Sequence, residues 1–358
     1  MHVPHYAKRT LAALALSLLV AGCGGDSTAP DAPFDPAGTS SDMGAMQASF
    51  DSPAMAGYVA ASGAISAALG ETPAAVAVRV APTKALVARG KPAAEAYVKQ
   101  AAGMRPLPST AAAIRAEYLG VTFTYNVDTD QYEPSDLTGA PADGVRFLVY
   151  AINGISGAII EPVVEVGYAD ITTTESTTSA TVRIELVSAD VTYLDYAVGI
   201  TANSTGGTIA VSGFVSNGDD RVDFDLDTHV SSTQSTTQIA ADYILMVPTR
   251  GGFRIDFESE ITLTASTTAS TSTLEARGPH GTVTITGDNA GNSGTFEVEV
   301  NSELFATIAY TTGQAPVITG ADGEPLTQAE LEVLQDILIV FLQGADFFED
   351  LFDPIAWS

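Results

Sequence analysis

The side chains able to do chemistry in this chain are overwhelmingly carboxylates: 43 Asp and Glu stand against 15 Lys and Arg, 4 His and 1 Cys. Asp223, Asp225 and Asp227 recur at every second position, as do Asp256, Glu258 and Glu260, and Glu297 and Glu299. Two carboxylates flanking a cleft, one with a raised pKa, could hydrolyse a glycosidic bond. Sugar clefts bring exposed Trp, however, and the only Trp is Trp357. Oxygen-rich turns could instead hold calcium, and the best local candidates are Asp128 with Asp130, Asp219 with Asp220, and Asp288. None has the D-x-D-x-D-G spacing and closing Glu of an EF-hand loop. For both sets the plainer expectation is a solvated acidic sheet face with polar turns. A histidine-dependent hydrolase lacks its G-x-S-x-G elbow, His229 falls in the polar register of a strand, and His280 falls in a turn. Neither a Walker loop nor G-x-G-x-x-G occurs. No catalytic residue and no cofactor is expected.

The lone cysteine has a different use. Lys8 and Arg9 precede an apolar run from Leu11 that closes in Leu19-Val20-Ala21-Gly22-Cys23. A basic start, an apolar stretch of about ten residues and small residues before a cleavage point form an export signal, too short for a bilayer span of about 20 residues. The five closing residues resemble the lipobox of bacterial lipoproteins. That resemblance implies cleavage after Gly22, lipidation of Cys23 and residence in the cell envelope, anchored to a membrane. Gly24 and Gly25 stand where many lipoproteins retained at the inner membrane carry Asp, which implies the outer membrane if the source has two.

Removing residues 1–22 leaves 336 residues and takes the formal charge from −28 to −30. Such acidity argues against nucleic acid as a partner, because phosphate binding needs clustered Lys and Arg. The charge is uneven. Seven basic residues fall between Glu71 and Glu117, whereas after Arg277 there are thirteen Asp or Glu and no Lys or Arg.

Composition divides the chain further. Residues 23–45 are expected to be the lipidated cysteine and a flexible Gly/Ser/Pro/Asp tether, and residues 46–119 an Ala-rich, partly helical segment broken at its prolines. Residues 120–312 alternate apolar and polar side chains, as in Arg221–Val230 and Phe253–Glu258, which predicts antiparallel strands with one buried and one wet face. Strand starts near Val163, Val191, Arg221, Gly252 and Thr282 suggest a hairpin repeat of about 30 residues. Connections rich in Ser, Thr, Gly and Asn alternate with tight turns such as Asn217–Asp220, so the two loop chemistries should segregate to opposite rims.

In residues 313–358, Thr327 and Glu330 form a capping box ahead of Leu331, Leu334, Leu338 and Phe341, and an aromatic tail follows with Phe348 and Phe352. The expected fold is mainly β: a large, curved, up-and-down antiparallel sheet of roughly 11 to 13 strands, half-barrel or two-layered, with N-terminal helices and a C-terminal apolar helix. The expected function is a non-catalytic envelope scaffold. The alternative is a carrier of lipid or another hydrophobic ligand. Residues 121–352 resemble, in architecture only, the half-barrel lipid carriers of bacterial envelopes, in which Phe341, Phe348 and Phe352 would line or gate the groove.

Overall fold

The computed structural model describes residues 34–70 and 114–338, apart from Ile155, Thr177, Ser204 and Ala265. The signal, Cys23, most of the basic stretch, Phe341, Phe348 and Phe352 lie outside the described residues. Two helices, α1 (Pro36–Ala48) and α2 (Pro53–Leu69), precede the strands. The first strands are β1 (Val121–Asn126), β2 (Gln131–Ser135), β3 (Gly144–Tyr150), β4 (Glu165–Glu175), β5 (Ser179–Ser188), β6 (Val191–Asn203), β7 (Gly206–Ser216) and β8 (Arg221–Ser232). Then come β9 (Thr236–Val247), β10 (Phe253–Thr264), β11 (Thr268–Gly278), β12 (Gly281–Ala290), β13 (Ser293–Val300), β14 (Glu303–Thr311) and β15 (Val317–Gly320). A last helix, α3, is described over residues 328–338.

The chain is mainly β, and its fifteen strands form one open sheet in the order β2-β1-β3 and then in sequence to β15. The expected count of 11 to 13 falls short, and the sheet is mixed because β1 and β3 run parallel, Val121 opposite Val145 and Phe123 opposite Phe147. The segment between β2 and β3 carries the chain back along the sheet, so β1 rather than β2 becomes the neighbour of β3. Residues 36–45, read by composition as tether, are part of α1. The described residues divide into two compact units, one within residues 45–229 and one formed by residues 34–44 with 230–338.

In the 45–229 unit, α2 starts where sequence predicts a break. Ser52 is its N-cap, accepting the Met55 N–H at 3.1 Å, and Pro53 takes a first-turn position where no N–H is needed. Gly70, at φ 74°, ends it and donates to Ser66 and Ala67 carbonyls. The helix buries Met55, Tyr58, Ala61, Ile65 and Leu69 and packs on β2 to β6. Its small residues permit close approach: a Cβ at Gly57 would lie 2.5 Å from the Tyr150 carbonyl oxygen. Below it, Phe123 and Phe147 stack at 4.7 Å and Tyr132 meets Phe147 edge-on. The strand register continues that apolar face through Ala169, Ile171, Ile184, Leu186, Leu194, Tyr196 and Val215, all buried.

In the other unit the apolar face of β12 to β14 gathers Val283, Ile285, Phe296, Val298, Val300, Ala306 and Ile308 beneath Leu334, Ile337 and Leu338 of α3. The start of α3 is a reciprocal capping box, with the Thr327 N–H donating to Glu330 Oε2 at 2.7 Å and the Glu330 N–H to Thr327 Oγ1 at 3.4 Å. Helix α1 begins at an Asp35 cap, whose Oδ1 accepts the N–H groups of Ala37 and Gly38 at 3.1 and 3.0 Å.

Candidate functional site

The carboxylates are organised by strand register. In the 45–229 unit, Asp170 of β4 lies opposite Glu185 of β5, and Glu185 lies opposite Asp195 of β6. Like charges directly opposed across strands repel. An arginine answers at each end of this row. Arg146, opposite Asp170 on β3, donates through Nε and Nη2 to its two carboxylate oxygens, both at 2.7 Å, and lies over the Tyr168 ring at 3.6 Å. Arg183 clasps Asp195 the same way at 2.8 and 2.7 Å. The planar guanidinium matches the carboxylate with two parallel bonds, and these bonds raise the pKa of Arg146 and of Arg183 above its ordinary value. Thr192 Oγ1 donates to Glu185 at 3.4 Å. On β8, Arg221 holds Asp223 and covers the Phe214 ring at 3.7 Å.

The second unit repeats the device. Asp256 of β10 lies opposite Glu275 of β11, with Arg254 bonded to Asp256 and Arg277 reaching Asp256 at 3.2 Å and Glu275 at 3.1 Å. Of these carboxylates only Asp223 and Asp256 belong to the acidic runs seen in sequence; Asp170, Glu185, Asp195 and Glu275 and the arginines beside them were not found there. The signal was available in the spacing of Arg and Asp within each strand, but it needs the register to be interpreted.

His280 sits in the β11–β12 turn against α1. Its Nδ1 is 3.4 Å from Asp35 Oδ2 and its Nε2 3.6 Å from Asp42 Oδ2, and the Asp42 side chain is buried. The Asp35 N–H donates to the His280 carbonyl at 3.0 Å. A Cβ on Gly38 would come within 2.4 Å of His280 Nδ1, so this glycine lets the helix close on the imidazole. The arrangement docks a helix. Both imidazole nitrogens face carboxylates. His229 lies on the polar face of β8 and is exposed.

The calcium candidates stand in three separate places. In the β1–β2 turn, the Asp128 N–H donates to Asn126 Oδ1 at 2.9 Å and Asp130, at φ 55°, accepts the Tyr125 hydroxyl. That bond pushes the Tyr125 phenol up to about 12. In the β7–β8 turn, the Asp219 and Asp220 N–H groups both donate to Asn217 Oδ1 at 2.9 and 2.8 Å. Asp288 is an exposed strand residue opposite Thr271 and Thr295. Among the described residues, no three His, Cys, Asp or Glu side chains are grouped so as to hold a metal ion, and no helix is long and apolar enough to cross a membrane.

Fold and side-chain chemistry thus define an acidic, mainly β protein whose strand-borne carboxylates are laced by arginines. Compared with family models, with curated proteins and with solved structures, the chain finds no match.

Proposed function

We propose that this protein is a lipid-anchored, non-catalytic scaffold of a bacterial cell envelope, held to a membrane through Cys23 and displaying a large acidic β surface. The observation that carries the reading is the Leu19–Cys23 sequence behind its basic and apolar run. Further support comes from the carboxylates. Asp170, Asp195 and Asp256 are each engaged by arginine, through Arg146, Arg183, and Arg254 with Arg277. In this reading the sheet is a curved, up-and-down platform whose apolar side is filled by the Ala-rich helices and a C-terminal apolar helix.

The test is metabolic labelling of the producing bacterium with an alkyne fatty acid, followed by fractionation and mass analysis of the N-terminal peptide. The expected result is a diacylglyceryl Cys23 in the membrane fraction and loss of both label and membrane partition in C23S. Unchanged partition of C23S would sink the proposal. Organic extraction of the soluble form beginning at Gly24 separates scaffold from carrier, since a carrier with Phe341, Phe348 and Phe352 around its ligand retains near-stoichiometric lipid and a scaffold retains background.

A further inference from the structure

We infer that His280 is a protonation-sensitive clasp: as an imidazolium it holds the start of α1 to the β11–β12 turn through Asp35 and Asp42, and as a neutral ring it holds it less tightly. The clasp lies wholly within the unit formed by residues 34–44 with 230–338, and it acts with or without a lipid on Cys23.

A neutral imidazole carries one N–H and one bare ring nitrogen, whereas the cation carries two N–H groups. In this turn both nitrogens meet a carboxylate oxygen, Nδ1 that of Asp35 at 3.4 Å and Nε2 that of Asp42 at 3.6 Å. Whichever tautomer the neutral ring adopts, one lone pair therefore faces an acidic oxygen. Protonation replaces that repulsion with a second attraction. Asp35 does not turn away without giving up the helix cap, because its Oδ1 accepts the Ala37 and Gly38 N–H groups at 3.1 and 3.0 Å. Those N–H groups are thereby withheld from the imidazole. The Asp42 side chain is only 7% exposed, so water does little to screen its oxygen from the ring. A helix N-terminus opposes a nearby cation, and the Asp35 carboxylate beside both offsets it.

The ring is held where this choice matters. The Asp35 N–H donates to the His280 carbonyl at 3.0 Å, and a Cβ on Gly38 would come 2.4 Å from Nδ1 and 2.5 Å from Cε1. On the other side Phe34 closes on Gly281, where a Cβ would be 3.2 Å from Phe34 Cδ2. The charged groups of the adjoining elements are engaged or set apart in the chain. Arg277, at the end of β11, reaches Asp256 and Glu275. Arg250 lies in the β9–β10 turn, which meets this one where a Cβ on Gly251 would be 3.3 Å from Pro279 Cγ. Glu303 opens β14 two residues beyond Asn301, whose Oδ1 accepts the Thr282 N–H at 3.0 Å. Histidine is the side chain whose charge changes between pH 5 and 8. Because protonation adds an attraction in the docked state, docking tightens toward pH 5 and loosens toward pH 8.

The test is hydrogen–deuterium exchange of the full chain at pH 5 and pH 8, read by mass spectrometry on the peptide holding residues 34–44 and corrected for the intrinsic pH dependence of amide exchange. The expected result is that protection of this peptide falls about fivefold from pH 5 to pH 8, the worth of one part-exposed ion pair, while a β13 peptide changes by less than about twofold. His280→Gln should give equal protection at the two pH values, and Asp42→Asn should shrink the difference. Equal protection of the unaltered chain at both pH values overturns the inference, as does greater protection at pH 8. An undiminished fall in His280→Gln overturns it too. Where His280→Gln fails to dock α1 at all, the pH series of the unaltered chain and of Asp42→Asn decides.

Discussion

Gly57 and Gly63 occupy one helix, yet the same substitution at each has opposite consequences. Alanine is the better helix former by about 1 kcal/mol, so in open space the change stabilises. Gly63 is in open space, exposed and with no atom within 4 Å of a built Cβ. At Gly57 the new methyl would stand 2.5 Å from the Tyr150 carbonyl oxygen and 2.8 Å from Val149 Cγ1. The obstacle is the backbone of a strand whose neighbours fix it on both sides, so helix and sheet must separate. Overpacking of this kind costs about 1–3 kcal/mol, and a backbone obstacle puts it near the upper end. Net of propensity, Gly57→Ala destabilises by about 2 kcal/mol while Gly63→Ala stabilises by about 0.5–1 kcal/mol. For a unit of this size each kcal/mol moves Tm by about 2–4 °C. Thermal unfolding of the soluble form beginning at Gly24, followed by circular dichroism, should then show Tm lowered by about 4–8 °C in one variant and raised by about 1–4 °C in the other. If Gly57→Ala also raises Tm, α2 does not lie on β3 at this distance and the packing argument fails.

Two buried tyrosines give a similar contrast. The Tyr58 hydroxyl is buried with no hydrogen-bond partner among the described residues, whereas the Tyr132 hydroxyl donates to the Leu148 carbonyl at 2.7 Å; urea titration should find Tyr58→Phe more stable by about 1 kcal/mol and Tyr132→Phe less stable by about 1–2 kcal/mol. Double-mutant cycles should return about 1–2 kcal/mol for the less exposed Arg146–Asp170 pair and below about 1 kcal/mol for Arg183–Asp195, the second vanishing in 1 M salt. The Tyr125 phenol is raised to about 12, chiefly by its bond to Asp130. A raised folded-state pKa means that its contribution is complete below the ordinary value near 10 and is lost as pH rises through 12. Ultraviolet titration of Tyr125→Phe should lack one phenolate appearing near pH 12, and loss of one near pH 10 instead would place the hydroxyl in water.

The strands were legible because alternation survives in the sequence wherever one face is wet. Expected starts at Val191, Arg221, Gly252 and Thr282 compare with strands beginning at Val191, Arg221, Phe253 and Gly281. Turn chemistry located these ends because a turn is a local event. The parallel pairing of β1 with β3 was not legible, since it depends on where residues 136–143 return the chain. Helix α1 was hidden by composition: Asp35 and Pro36 signalled a cap, but Gly, Ser and Ala suggested a tether. His280 meets Asp35 and Asp42 from more than 230 positions away, a distance over which no local pattern operates. The fate of the acidic stripes was half visible. Which residues share a face follows from period two, but that Arg146 lies opposite Asp170 follows from the β3–β4 register, which a loop of unrevealing sequence sets.

From β4 to β14 every strand lies beside the strands that precede and follow it in the chain. Nothing in that order waits for a distant segment, so each hairpin can form as soon as its own residues are free, and a chain delivered from its N-terminal end folds in the order of delivery. The same order makes length an independent variable. Adding or deleting a hairpin of about 30 residues in the middle of such a run leaves every other pairing and every facing residue as it was. The width of the sheet therefore scales with the number of hairpins, at about 10 Å for each two strands added.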